Sequence, residues 1–134
     1  MPKITLNKKD TLKLIGKAIS DKQLSGAIPL IGTDLEKITK NEIEVEIFPN
    51  RPDMLSEEGF ARALSSFLGI KTGLKAYKVN KSNYKYKVDS KVKRIRPYCT
   101  AAIVKGLKFD KVSLAAIMNL QDKLHTTHGR NRKK

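Results

Sequence analysis

The spacing of apolar residues changes period several times along the chain, and each change marks an element. Ile4 and Leu6 flank Thr5 as a short strand, and Asn7 then offers an N-cap for a helix carrying Leu12, Ile15 and Ile19 on one face. Gly16 weakens that helix. Ser20 and Gln23 have capping-box spacing: the hydroxyl accepts from the amide three residues on while the glutamine reaches back. The helix they open buries Leu24, Ala27 and Ile28, with Pro29 distorting its last turn and Gly32 closing it in a left-handed conformation. Residues 33–39 and 42–48 read as two strands joined at Lys40 and Asn41. In the second, Ile43, Val45 and Ile47 alternate with Glu42, Glu44 and Glu46, so one face is core and the other meets water or a basic neighbour.

Pro49 and Pro52 forbid continuation of that strand's ladder, and Asn50 and Asp53 suit a turn because their side chains can bond nearby amides. Ser56 is the next helix N-cap, with Glu57 and Glu58 opposing the positive end of the helix dipole. Leu55 and Phe60 have the spacing of a hydrophobic staple; Phe60, Leu64 and Phe67 form the buried stripe, and Gly69 ends the helix. The corner made by Asn50, Arg51, Pro52, Asp53 and Ser56 therefore reads first as a structural device that redirects the chain, ahead of a substrate contact.

Residues 71–82 are polar with isolated apolar positions and read as a linker. Tyr84, Tyr86 and Val88 then alternate with Lys85, Lys87 and Asp89 as an edge-like strand. Such a pattern can stack on unpaired bases while neutralising phosphates, but a half-buried strand guarded by lysines is the favoured reading. The apolar run 98–104 reads as a strand covered on both faces, which makes Cys99 a small buried hydrophobe. A last helix carries Leu114, Ile117, Leu120, Gln121 and Leu124, with Val112 and Ile117 as a staple around Ser113 and Gly129 as its stop. The expected class is α+β: a small first domain at 1–70, with a β-hairpin packed on helices, then the linker and an incomplete α+β unit at 83–134.

Charge divides the same way. Residues 1–70 hold ten Lys/Arg and ten Asp/Glu, whereas residues 71–134 hold eighteen and three, the whole surplus of +15. That asymmetry suits a polyanionic partner such as RNA or DNA, set against a merely solubilising lysine surface. Arg130, Arg132, Lys133 and Lys134 are the candidate phosphate contacts. One cysteine excludes an internal disulfide and fits a reducing compartment, and no apolar run approaches the ~20 residues that span a bilayer, so a cytoplasmic protein is expected. His125 and His128 share a helical face, yet two imidazoles do not make a metal site. No catalytic constellation or glycine-rich phosphate loop is evident, which favours a binding or scaffolding role.

Two blocks carry a family likeness. Asn50-Arg51-Pro52-Asp53, followed by Leu55-Ser56, Glu58-Gly59 and Ala61-Arg62-Ala63-Leu64, resembles the N-terminal region of the β subunit of phenylalanyl-tRNA synthetase. The second block runs from Ile95-Arg96-Pro97-Tyr98 through Leu120-Gln121-Asp122-Lys123-Leu124-His125 to the basic tail, and is similar to the next part of that subunit in its archaeal and eukaryotic form. The resemblance implies an (αβ)₂ ligase of protein biosynthesis whose α subunit carries the site for phenylalanine, ATP with magnesium, and the tRNA 3′ end. The β subunit supplies assembly, tRNA contacts and an editing domain that hydrolyses tRNA mischarged with tyrosine. Residues 83–134 would open that editing domain and stop before its pocket, as in a truncated piece with an exposed apolar side.

By that likeness no catalytic residue and no cofactor falls on this chain, and its partners are the α subunit, the remainder of the β subunit and tRNA. It also implies the form lacking an oligonucleotide-binding barrel inside the first domain, because the strands run straight into Asn50. The competing readings are a free-standing basic RNA- or DNA-binding module and a protein-interaction adaptor.

Overall fold

A computed structural model describes residues 2–133. The chain runs through β1 (Lys3–Asn7), α1 (Lys8–Ile15), α2 (Asp21–Ala27), a 3₁₀ turn (Pro29–Ile31), β2 (Thr33–Ile38), β3 (Glu42–Ile47), a 3₁₀ turn (Pro52–Met54), α3 (Glu57–Phe67), a 3₁₀ turn (Ser90–Val92) and α4 (Lys111–Thr126). The class is α+β, with a three-stranded antiparallel sheet in the order β1-β3-β2.

β3 is central because its alternation supplies one wholly apolar face. Ile43, Val45 and Ile47 are fully buried, and Val45 lies opposite Ile4 on one side and Leu35 on the other. The opposite face is spanned by charge: Lys3 Nζ reaches Glu36 Oε1 at 2.9 Å, and that hydrogen bond raises the lysine's pKa. The β2 register shifts between Leu35 and Lys37, a bulge at Glu36.

Helices cover the apolar face. Ile15 of α1, Leu24 and Ala27 of α2, Phe60, Ala61 and Leu64 of α3, and Met54 and Leu55 from the turn before α3 are all buried with the strand residues. Side chains of ~15 residues removed from water in this way are the main stabilising contribution, each fully buried large one contributing about 1.5–3 kcal/mol before entropy is charged against it. Buried hydroxyls are satisfied: Thr11 Oγ1 donates to Asn7 O at 2.7 Å and Thr33 Oγ1 to Ile28 O at 2.9 Å.

The caps follow the sequence closely. Asn7 accepts from the Asp10 amide, Ser20 and Gln23 form the capping box, and Ser56 accepts from the Gly59 amide. Pro29 converts the end of α2 into the 3₁₀ turn, and Gly32 closes it at φ 79°. Gly16 does more than weaken α1. At φ 83° it ends the helix, so Ile19 packs on the core from outside it. Phe67 is another correction: 49 % of it is exposed, because it falls at the last helical position, where the stripe has already turned away from the sheet.

Contacts group Met1–Leu74 with Asp110–Lys134 in one compact unit and Lys75–Phe109 in a second. The boundaries at 70 and 82 were drawn from composition instead. In the first unit, Leu120 of α4 packs against the core. Lys123 is half-buried, and its burial lowers its pKa while Glu57 acts in the opposite sense. The α4 cap lies three residues earlier than expected: Asp110, not Ser113, is the N-cap, and the two side chains form a reciprocal capping box. Ser113 is the third helical residue and Val112 lies inside the helix, so neither the cap nor the staple expected there forms.

The second unit departs most from expectation. Residues 84–88 and 98–104 form no strand, and every residue from 71 to 112 is exposed, including Cys99. Its regular structure is the 3₁₀ turn at Ser90–Val92, capped by the Asp89 side chain. Alternation alone does not make a strand; the backbone needs a neighbour to complete the ladder, and these segments have none among the described residues.

Candidate nucleic-acid interface and the Asn-Arg-Pro-Asp corner

The corner is held by its own side chains. Arg51 Nε and Nη2 donate to Asp53 Oδ1 and Oδ2, both at 3.1 Å, and Nη1 donates to the Ile31 carbonyl at 3.2 Å. One guanidinium thus ties the turn before α3 to the end of the α2 region. The paired hydrogen bonds hold Asp53 below the usual carboxylate range and raise Arg51. Asn50 is exposed, while Ser56 is buried and caps α3.

Gly59 completes the corner, and its role was not read from the sequence. A Cβ there would lie 1.7 Å from the Asp53 carbonyl oxygen, so the first turn of α3 approaches the turn backbone as only glycine permits. The signal was the Glu58-Gly59 pair in the first turn of a helix, where a glycine otherwise costs stability. A groove of about 400 Å³ beside the corner is lined by Leu30, Ile31, Arg51, Ala63, Ser66 and Phe67. Arg51 is already committed on three of its donors, which leaves the corner a brace.

The candidate phosphate contacts follow α4. Arg130, Arg132 and Lys133 are exposed; Lys134 lies outside the described residues. Arg130, Asn131 and Arg132 have φ of 48°, 55° and 63°, a left-handed run unusual for non-glycine residues. Arg132 Nη2 is engaged by Asp122 Oδ1 at 2.5 Å. Arg130 and Lys133 are exposed, and neither is paired with a carboxylate among the described residues. His125 lies in the last turn of α4 and His128 beyond its end, and no group of three or more metal-ligating side chains gathers among the described residues. No helix among them is long and apolar enough to cross a membrane.

No family model matches the chain. Individual proteins do, over its whole length. It is 46 % identical over 134 residues to the phenylalanine–tRNA ligase β subunit of Methanococcoides burtonii, matching 100 % of this chain and 24 % of that one. The β subunit of Archaeoglobus fulgidus is 42 % identical over 134 residues, with the same shares, and that of Methanopyrus kandleri 42 % over 138 residues, with 100 % and 23 %. The fold agrees: a crystal structure of an N-terminal fragment of the phenylalanyl-tRNA synthetase β subunit from Pyrococcus horikoshii superposes with a TM-score of 0.83 at 38 % identity, covering 98 % of this chain and 39 % of that one. Over its whole length the chain matches the N-terminal region of archaeal phenylalanyl-tRNA synthetase β subunits. It spans about a quarter of the length of the curated relatives it matches.

Proposed function

We propose that the chain serves as a non-catalytic N-terminal part of a phenylalanine–tRNA ligase β subunit, acting through packing with the rest of the β subunit and the α subunit. The observation that carries this reading is the match to ligase β subunits over the entire chain. Aminoacylation with ATP and magnesium is assigned by the family likeness to the α subunit and forms no part of the role proposed here. The test is coexpression with an archaeal α subunit and the remainder of its β subunit, followed by copurification and a phenylalanylation assay. Retention of the chain with those parts, and no phenylalanyl-adenylate from the chain alone, is the expected result. Elution of the chain by itself, or adenylate formation without the α subunit, would contradict it.

The tail is the proposed tRNA contact. Arg130, Lys133 and Lys134 would meet phosphates, with Arg132 exchanging Asp122 for the nucleic acid. Neutralising all four should lower the log-log salt dependence of tRNA binding by about 3, since each phosphate contact releases about 0.7–0.9 counterion. An unchanged slope would make the tail a solubilising end.

A further inference from the structure

Up to residue 70, the exposed large apolar side chains among the described residues are Leu14, Leu30 and Phe67, and the last two line one groove, that of about 400 Å³ beside the corner. Local structure turns both outward. At the 3₁₀ turn, Ile28 and Ile31 stand three residues apart on the buried side, so Leu30 faces away from the core and is 69 % exposed. Phe67 closes α3, and Ala63, one helical turn before it, is small, as is Ser66, which leaves room beside the ring. Arg51 lines the same groove. Its bonds to Asp53 and Ile31 use three of its five N–H donors and leave two for an acceptor from outside.

We propose that this groove docks a segment of the remaining β subunit, one that sets a large apolar side chain against Leu30 and Phe67 and offers a backbone carbonyl to Arg51. The proposal rests on the β-subunit reading above and gives it a surface. What lies outside the matched stretch selects the occupant. The chain matches 24 % of the Methanococcoides burtonii subunit, so about three-quarters of that subunit is further polypeptide joined to the equivalent region. A covalently joined segment meets the groove at an effective concentration that reaches about millimolar, an advantage that a separate subunit or a second copy lacks. Leu30 and Phe67 are held by a packed unit, so little ordering is needed to bury them, and an aromatic side chain in a groove is the kind of anchor that dominates an interface. A carbonyl suits Arg51 better than a carboxylate, because Asp53 already balances the guanidinium and would repel a second negative charge.

The test joins the 134-residue chain to the remainder of the Methanococcoides burtonii β subunit, in place of the matched stretch, and coexpresses it with that organism's α subunit. A photoreactive benzoylphenylalanine replaces Phe67 or, as an exposed apolar control outside the groove, Leu14. Cross-links from position 67 should fall on β-subunit residues beyond the matched stretch and far exceed those from position 14. With the chain supplied separately, Leu30→Ser together with Phe67→Ser should weaken its binding to the other parts about tenfold, while Leu14→Ser leaves it unchanged. All three side chains are exposed, so an unchanged thermal melt of each isolated variant verifies that the packed unit is intact. Cross-links from position 67 to the α subunit or to a second copy, or no more abundant than those from position 14, would overturn the proposal. Equal binding by the groove variant and the wild type would do the same. Failure of the separate wild-type chain to copurify would contradict the assembly reading, whereas the cross-links in the joined subunit would still decide the groove, so the two fail separately.

Discussion

β3 and the segment around Tyr86 carry the same written pattern and take opposite structures. Ile43, Val45 and Ile47 alternate with glutamates, and Tyr84, Tyr86 and Val88 alternate with lysines and an aspartate. The first set is fully buried between two neighbouring strands; in the second set Val88 is 43 % exposed and the tyrosines more so. The difference lies in what each pattern can bury and against what. Purely aliphatic faces from β1, β2 and β3 meet those of α1, α2 and α3, whereas the tyrosine face has no second apolar layer within its own unit. A strand is a property of its neighbours as much as of its own residues.

Substituting the two patterns alike breaks the comparison most sharply. Val45→Asp places an unpaired carboxylate in the centre of the sheet and should abolish the cooperative melt, a loss of several kcal/mol. Val88→Asp should change the melting free energy by no more than about 0.5 kcal/mol. Equal effects from the two, measured by denaturant titration, would show that the second segment is as structured as the first.

The corner sharpens the same contrast inside the packed unit. Gly59→Ala should cost about 3 kcal/mol, because the methyl group meets fixed backbone at Asp53 with no flexible neighbour to yield. A neutral result would mean that α3 can shift away from the turn. Asp53→Asn should cost less, about 1 kcal/mol at neutral pH, since the pair with Arg51 is partly exposed and screened. Its pH dependence has a definite sign. The folded-state pKa of Asp53 is depressed by its hydrogen bonds to Arg51, so the stabilisation is present above the ordinary carboxylate pKa and is lost as pH falls through the depressed value. Wild type and Asp53→Asn should therefore converge in acid, and a gap persisting there would assign the cost to packing instead of charge.

The first seventy residues were legible because local signals agreed with one another. Capping pairs, the proline at the end of α2 and the alternation in β3 each specified an element, and each found its tertiary partner. Phe67 was misplaced because a helix stripe says nothing of where the facing sheet ends. The staple around Ser113 does not form because Asp110 caps the helix three residues earlier, and the reciprocal bond between the two side chains is visible only in three dimensions. Gly59 was invisible as a contact residue: its meaning is the distance to a carbonyl six positions earlier. The pattern at 84–88 reads as half-buried and the run 98–104 as buried, yet periodicity cannot report whether a covering layer exists. The basic tail was visible as charge, but the Asp122 partner of Arg132, ten residues away, was not.

Hydrogen–deuterium exchange of the 134-residue chain, resolved by residue, tests the contrast between the two regions most directly. Amides of Lys3–Asn7, Thr33–Ile38, Glu42–Ile47 and Glu57–Phe67 should exchange slowly and together, at the free energy of global unfolding, while those of Lys75–Phe109 should exchange near the rate of an unprotected peptide. Slow exchange at residues 84–88 or 98–104 at the rate seen in β3 would contradict it, and would place those segments in a hydrogen-bonded ladder after all.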